Sequence, residues 1–374
     1  MTDIIRADHV GSLLRPDTLL AARRAHEAGR VSDDELRGEE DAAIRLAIAL
    51  QKETGIGVLS DGEFRRSAWG NGVVDALSGL SPAPEKESAS AALPTRRWHG
   101  EHGDLAQETR PRYFVATGKI GLRHRFAVDE ARFLRANADG LFKITIPSPT
   151  MFLRLYDAAL SAPAYATADA LIDDLVTLYL DEIDALHEIG VPYLQLDSLR
   201  YIDTIDAVEK GRIEAADARG ALERLVAVDN RILGRMKRAG VTRGVHICRG
   251  NHRSSWGVSG SYESVAEMLL GEVDTDRFLM EFDSERAGGF EPLRFVPKGR
   301  TVVLGLITTK TGALENIDDL LRRIDEAARY VPLDHLAISP QCGFASTELG
   351  NLLSIDDEKR KLALVAEVAR RVWG

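Results

Sequence analysis

Two cysteines in 374 residues are too few for a disulfide framework, and the wide separation of Cys248 and Cys342 in an acidic chain favours metal or catalytic use over a bridge. Positive charge is also scarce. The 48 Lys and Arg stand against 58 Asp and Glu, a formal net charge of −10. That balance excludes the basic footprint of a nucleic-acid binder and of a protein drawn to an anionic membrane. Met1-Thr2-Asp3-Ile4-Ile5-Arg6 lacks the apolar run of a secretory leader, and no apolar stretch approaches bilayer length, so a cytoplasmic location is expected. No internal repeat is visible. The turns Arg249-Gly250-Asn251 and Ala287-Gly288-Gly289 lack the glycine spacing of nucleotide-binding loops, which argues against a nucleotide cofactor.

What is present is a βα rhythm. Short β-rich runs alternate with amphipathic helical patterns. Strands are expected over Ile4 to His9, Gly57 to Asp61, Phe142 to Ile146, Tyr193 to Asp197, Gly244 to Cys248, Phe278 to Glu281, Val302 to Leu306 and Leu336 to Ser339. Helices are expected over Asp33 to Thr54, Ala168 to Ile189, Ala216 to Ala239, Ser261 to Leu270 and Ile317 to Val331. Eight strands with intervening helices predict an α/β fold, a single (β/α)8 TIM-type barrel forming one domain over residues 1–374. Residues 81–141 interrupt the rhythm after the second strand-helix unit. Ser81-Pro82-Ala83-Pro84 and Glu87 to Pro94 read as loop, and Thr95 to His99 is expected to pair with Tyr113 to Ile120 as an inserted hairpin.

In such barrels the chemistry lies at the carboxyl ends of the strands. At those ends stand His9 with Gly11-Ser12, Asp61 with Glu63, Pro147-Ser148, Asp197, His246 with Cys248, Glu281 with Asp283, Thr308 to Lys310, and Cys342. Buried alone, Cys248 would read as an inert apolar filler and His246 as a hydrogen-bonded core histidine. A His-x-Cys step on one strand end, with the remaining cysteine on another, instead suggests a soft metal. His246, Cys248, Glu281 and Cys342 can build a tetrahedral zinc centre, Glu281 competing for that role with Asp283 and Glu285. Arg65, Arg66, Arg249 and Arg253 are candidates for holding an anion, or else form a solvated rim.

These same segments resemble the cobalamin-independent methionine synthase family, in particular its catalytic carboxyl-terminal barrel and its short stand-alone members. The resemblance runs almost end to end through His9-Val10-Gly11-Ser12-Leu13-Leu14-Arg15-Pro16, Ser60-Asp61-Gly62-Glu63-Phe64-Arg65-Arg66, Gln195-Leu196-Asp197, His246-Ile247-Cys248-Arg249-Gly250-Asn251 and Cys342-Gly343-Phe344. It implies a TIM-type barrel, zinc on His246, Cys248, Glu281 and Cys342, and methyl transfer to the thiol of homocysteine. It also implies that Gly11, Ser12, Glu63 and Asp197 bind the homocysteine backbone, and His9 and Arg65, at strand ends beside them, are further substrate-binding candidates. The full-length enzyme's amino-terminal barrel has no counterpart.

Three departures bear on the methyl donor, expected to be a methyltetrahydrofolate-type or other carrier. The family's Asp-Glu-Pro is Asp197-Ser198-Leu199, removing an acidic group. Its pterin-facing tryptophan is absent from Ile146-Pro147-Ser148-Pro149-Thr150, leaving Phe152, Trp69 or Trp256 as substitutes. Lys310 stands where the family has a proton-donating histidine, and is the candidate catalytic residue. Expected partners are therefore a small thiol and a methyl donor, with no nucleic acid or membrane and with a homo-oligomer allowed. The rival readings are alkyl transfer to another thiol of the coenzyme M type, a metal-dependent hydrolase, and a non-catalytic thiol-binding zinc barrel.

Overall fold

The computed structural model describes residues 5–83, 98–100 and 114–374. Its first two strands, β1 (Leu77–Pro82) and β2 (Phe114–Leu122), pair antiparallel, Leu77 opposite Leu122 and Pro82 opposite Phe114. Six further strands form a parallel sheet in chain order: β3 (Lys143–Pro147), β4 (Tyr193–Asp197), β5 (Thr242–Ile247), β6 (Arg277–Glu281), β7 (Thr301–Ile307) and β8 (Leu336–Pro340). Nearly every residue of the six is buried, as expected of parallel strands covered on both faces. Helices over Asp33–Thr54 and Ala168–Ile189 have the expected bounds. Ser32 forms a capping box with Glu35, and Gly55 and Gly190 end the helices in the left-handed conformation that a side chain resists.

Two expectations are corrected. The strands expected over Ile4 to His9 and Gly57 to Asp61 are each reduced to one parallel bridge, Ala7 with Ile338 and Leu59 with Phe142. Side chains take the N–H groups that a ladder would use: His9 N–H donates to Asp8 Oδ1 at 2.8 Å and Ser60 N–H to Gln51 Oε1 at 2.8 Å. Residues Phe114–Leu122 pair with Leu77–Pro82 rather than with Thr95 to His99. Of that expected partner only Trp98 and His99 are described, and His99 bridges to Trp256 instead, with backbone bonds of 2.8 Å in both directions. The helix Val128–Asn137 also lies inside the span expected to be an insertion.

The carboxyl-terminal helix Ile355–Trp373 ties the two ends of the chain together. Buried Glu358 accepts a 2.7 Å hydrogen bond from the Leu14 N–H, just beyond Gly11-Ser12. Burial pushes its carboxyl up to about 8. The folded protein thus keeps a proton that the unfolded chain releases from about pH 4.5, so this contribution to stability is present below pH 4.5 and is lost as pH rises through 8. Glu358→Gln should melt with wild type at pH 4.5 and a few degrees above it at pH 8, at about 2–4 °C per kcal/mol. Parallel melting curves at both pH values would show the carboxyl to be inert.

Candidate metal and substrate site

The carboxyl ends of β5 and β8 bring three donors together. His246 lies on β5, Cys248 one residue past its end, and Cys342 two residues past β8. One ligand atom from each lies within 4.8 Å of the other two, and all three residues are buried. His246 Nδ1 sits 3.2 Å from the Leu279 carbonyl, to which it can donate only as N–H, while Nε2 is buried and, among the described residues, has no partner beyond the neighbouring Cys248 sulfur. The Cys342 thiol hydrogen-bonds to Cys248, holding Cys248 well below the usual thiol range and itself well above it. Burial opposes a charge on His246, yet the Cys248 sulfur raises it overall. Donors that hold protons among themselves in this way release them when a cation binds. These soft donors and the Nε2 beside them fit a zinc-type ion.

Glu281, the last residue of β6, is fully buried and stands apart from that group of three. Its Oε2 accepts from the Arg249 N–H at 2.8 Å, and its Oε1 from Arg286 Nη2 at 2.6 Å and Nε at 3.2 Å. Arg286 also pairs with Asp283 at 2.7 Å and lies over the Trp256 ring. Sequence reasoning missed Arg286, whose only signal was its place five residues after an acidic strand end. Beside the ligands is a cavity of about 160 Å³ lined by Trp256, Asp283, Arg286, Lys310, Ser254, Ser284, Thr308 and Thr311. Lys310 is buried, with Nζ 3.4 Å from Asn251 Oδ1. Of the three aromatic substitutes, Trp256 lines this cavity, whereas Phe152 is packed in the core.

Next to His246, with Asp197 paired to it across β4 and β5, stand two buried carboxylates. Glu63 has a positive φ of 59°, a conformation costing a non-glycine residue roughly 1 kcal/mol or more. Its Oε1 accepts from Thr145 Oγ1 at 2.8 Å, while Oε2 is buried without a hydrogen-bond partner among the described residues. Burial raises its pKa. Asp197 ends β4, accepts from Gln195 Nε2 at 2.8 Å, and is raised to about 7 by burial, with the Glu63 charge adding to the effect. Gly11 is glycine of necessity: its φ is 141°, and a Cβ there would lie 2.8 Å from Thr145 Cγ2 and 3.1 Å from Glu63 Oε1. Ser12 abuts the Cys342 turn, where a Cβ on Gly343 would fall 1.9 Å from the Ser12 hydroxyl.

His9 and Arg65 are placed differently from expectation. His9 is buried, donates from Nε2 to the Val58 carbonyl at 3.1 Å, and is brought down to about 3 by burial. Arg65 turns to the helix Asp33–Thr54, pairing with Glu40 at 3.3 Å and Asp41 at 2.5 Å and lying over Phe133. Arg66 is the residue that turns inward, locked to Glu130 by bonds of 2.8 and 2.5 Å and to the Thr145 carbonyl at 2.7 Å. Arg249 is fully buried over Tyr262 and donates to the Ala287 carbonyl. None of these three forms a solvated rim.

Fold and site together define an α/β protein whose parallel strands present a His-Cys-Cys group, able to take a metal, beside a pair of buried carboxylates. No family model matches the chain. It is 38% identical over 375 residues to YxjH of Bacillus subtilis, covering 98% of this chain and 94% of that protein, and 39% identical over 379 residues to YxjG of the same organism, with the same coverage. A putative vitamin-B12 independent methionine synthase from Listeria monocytogenes superposes with TM-score 0.72 at 28% identity, covering 99% of this chain and 98% of that one. A B12-independent methionine synthase from Shewanella, solved with selenomethionine, gives the same TM-score and coverage at 20% identity. The chain belongs to the B12-independent methionine synthase family, a family of methyltransferases.

Proposed function

We propose that the chain is a zinc-dependent methyltransferase that converts the thiol of homocysteine to methionine without cobalamin. The observation that carries this reading is the convergence of His246, Cys248 and Cys342, with the Nε2 of His246 lacking any partner outside that group among the described residues. Glu281 completes the proposed ligand set; of the four it is the one whose ligation competes with a protein partner, Arg286. Zinc bound to two thiolates lowers the pKa of an added thiol while staying weakly Lewis acidic, which suits sulfur as a nucleophile and suits water poorly.

The protein's own residues orient the amino acid. An α-ammonium between Glu63 and Asp197 would occupy the free Oε2 of Glu63 and relieve the repulsion that each carboxylate imposes on the other. The α-carboxylate is assigned to the backbone and hydroxyl of Gly11-Ser12. A sulfonate-bearing thiol would meet those same two acids as repulsion, which disfavours the coenzyme M reading. Lys310, beside the cavity, is assigned to the methyl-donor side, where it can supply a proton or hold an anionic carrier. On this reading residues 1–374 form one domain and a closed (β/α)8 barrel. The segments at Ala7 and Leu59 serve as its first two strands, joined by the Gly57 N–H bond to the Ala7 carbonyl.

Zinc K-edge X-ray absorption with and without L-homocysteine tests this function. One added sulfur neighbour at roughly 2.3 Å, with loss of a lighter ligand, is the expected result. Absence of zinc, or a ligand shell indifferent to homocysteine, would reject it.

A further inference from the structure

Behind the site lies a carboxylate that the proposed chemistry does not use. Asp229, on the helix Arg219–Met236, is fully buried, and among the described residues no cation is paired with it. It accepts from three hydroxyls instead: Ser148 Oγ at 2.6 Å, Ser198 Oγ at 2.6 Å and Tyr201 Oη at 3.0 Å. The two serine distances are those of charge-assisted O–H···O⁻ bonds. Ser148 follows β3 and Ser198 follows β4, and each is gripped a second time through its backbone. The Ser148 N–H donates to the Asp197 carbonyl at 2.9 Å, and the Ser198 N–H to the His246 carbonyl at 3.0 Å.

We propose that Asp229 is a positioning residue that fixes the turns after β3 and β4 and, through them, the backbones of Asp197 and His246. The proposal rests on the reading of those two as substrate and metal residues. A carboxylate suits the task because it has no hydrogen of its own to place and accepts from all three hydroxyls, whereas an amide presents an NH2 to one of them. The arrangement also gives a role to Ser198, which stands where the family carries an acid. Its hydroxyl is committed to Asp229, so Ser198 is a strut of the wall and no substitute for the missing carboxylate.

The full-length zinc-loaded protein provides the test, with zinc affinity measured against a competing chelator and L-homocysteine binding by calorimetry. Asp229→Asn is expected to weaken both by tenfold or more, within the roughly 10–100-fold typical of residues that orient ligands. Tyr201→Phe removes the third hydroxyl without touching either serine, and is expected to lower the melting temperature while changing both affinities less than about twofold. An Asp229→Asn protein with wild-type affinities, or a Tyr201→Phe protein losing as much, overturns the proposal. Should Asp229→Asn fail to fold, Ser198→Ala must weaken both affinities, and wild-type behaviour there also overturns it. Wild-type protein that binds neither zinc nor homocysteine rejects the functional reading together with the positioning role; two good wild-type affinities that Asp229→Asn matches reject the positioning alone.

Discussion

Cys342→Ala should leave the protein without stoichiometric zinc and without methyl transfer, while its melting temperature falls only slightly. Removing an outer-shell partner typically costs 10–100-fold in metal affinity, so loss of a direct thiolate should exceed about a hundredfold. The expected selectivity comes from the local geometry. Cys342 lies beyond the end of β8, in a turn held by other groups: the Phe344 N–H donates to the Ser12 carbonyl at 2.9 Å, and Asn251 Nδ2 to the Gly343 carbonyl at 2.8 Å. The turn should therefore survive loss of the sulfur. Loss of Cys342 also removes the hydrogen bond that keeps Cys248 low, so the remaining thiol should become less acidic and less reactive toward a maleimide in the apo protein. Metal analysis after dialysis against a chelator decides the matter. A variant that retains one zinc per chain would remove Cys342 from the ligand set.

The reading of the sequence succeeded where a local signal and the tertiary environment agreed. Tyr193 to Asp197 is a strand in both, because a short β-rich run, its one interior polar residue being Gln195, that ends in an acidic residue is how a buried parallel strand presents chemistry at its carboxyl end. The same logic placed His246, Cys248 and Cys342 on strand ends that the fold brings together. It failed where a decision depends on partners distant in sequence. Arg65 and Arg66 are adjacent and chemically identical, yet one faces Glu40 and Asp41 and the other Glu130, a distinction set by which helix packs on each side. The segments at Ala7 and Leu59 have strand composition, but Asp8 and Gln51 side chains capture N–H groups that a ladder would need. Asp229 left a trace that could have been read. It occupies the apolar stripe of its helix with Leu222, Leu225, Val226, Ile232 and Leu233, and an acid at such a position demands buried donors.

Lys143→Met should be the most destabilising single substitution away from the metal ligands. Lys143 is buried inside the sheet and donates to Asp8 Oδ1 at 2.9 Å, to Gln195 Oε1 at 2.8 Å and to the His9 carbonyl. Burial works against the charge on Asp8, but Lys143 and Arg277 outweigh it and hold its carboxyl below the usual range. Without Lys143, the fully buried Asp8 keeps one cation, Arg277 at 3.3 Å, with the Tyr193 hydroxyl at 3.3 Å and the His9 N–H at 2.8 Å. Breaking a buried pair in this way costs about 3–5 kcal/mol, whereas replacing both partners by apolar residues is often nearly neutral. Asp8→Leu combined with Lys143→Met should accordingly recover much of the stability lost in the single variant. Asp8 precedes the Gly11-Ser12 loop and Lys143 opens β3, so the pair ties the proposed carboxylate-binding loop to the sheet. The single variant should therefore lose homocysteine affinity as well as stability, and the double variant should regain stability first. Denaturant titrations of the two single variants and the double variant measure the coupling directly. A Lys143→Met protein within about 1 kcal/mol of wild type would mean that Arg277, the His9 N–H and the Tyr193 hydroxyl together satisfy Asp8.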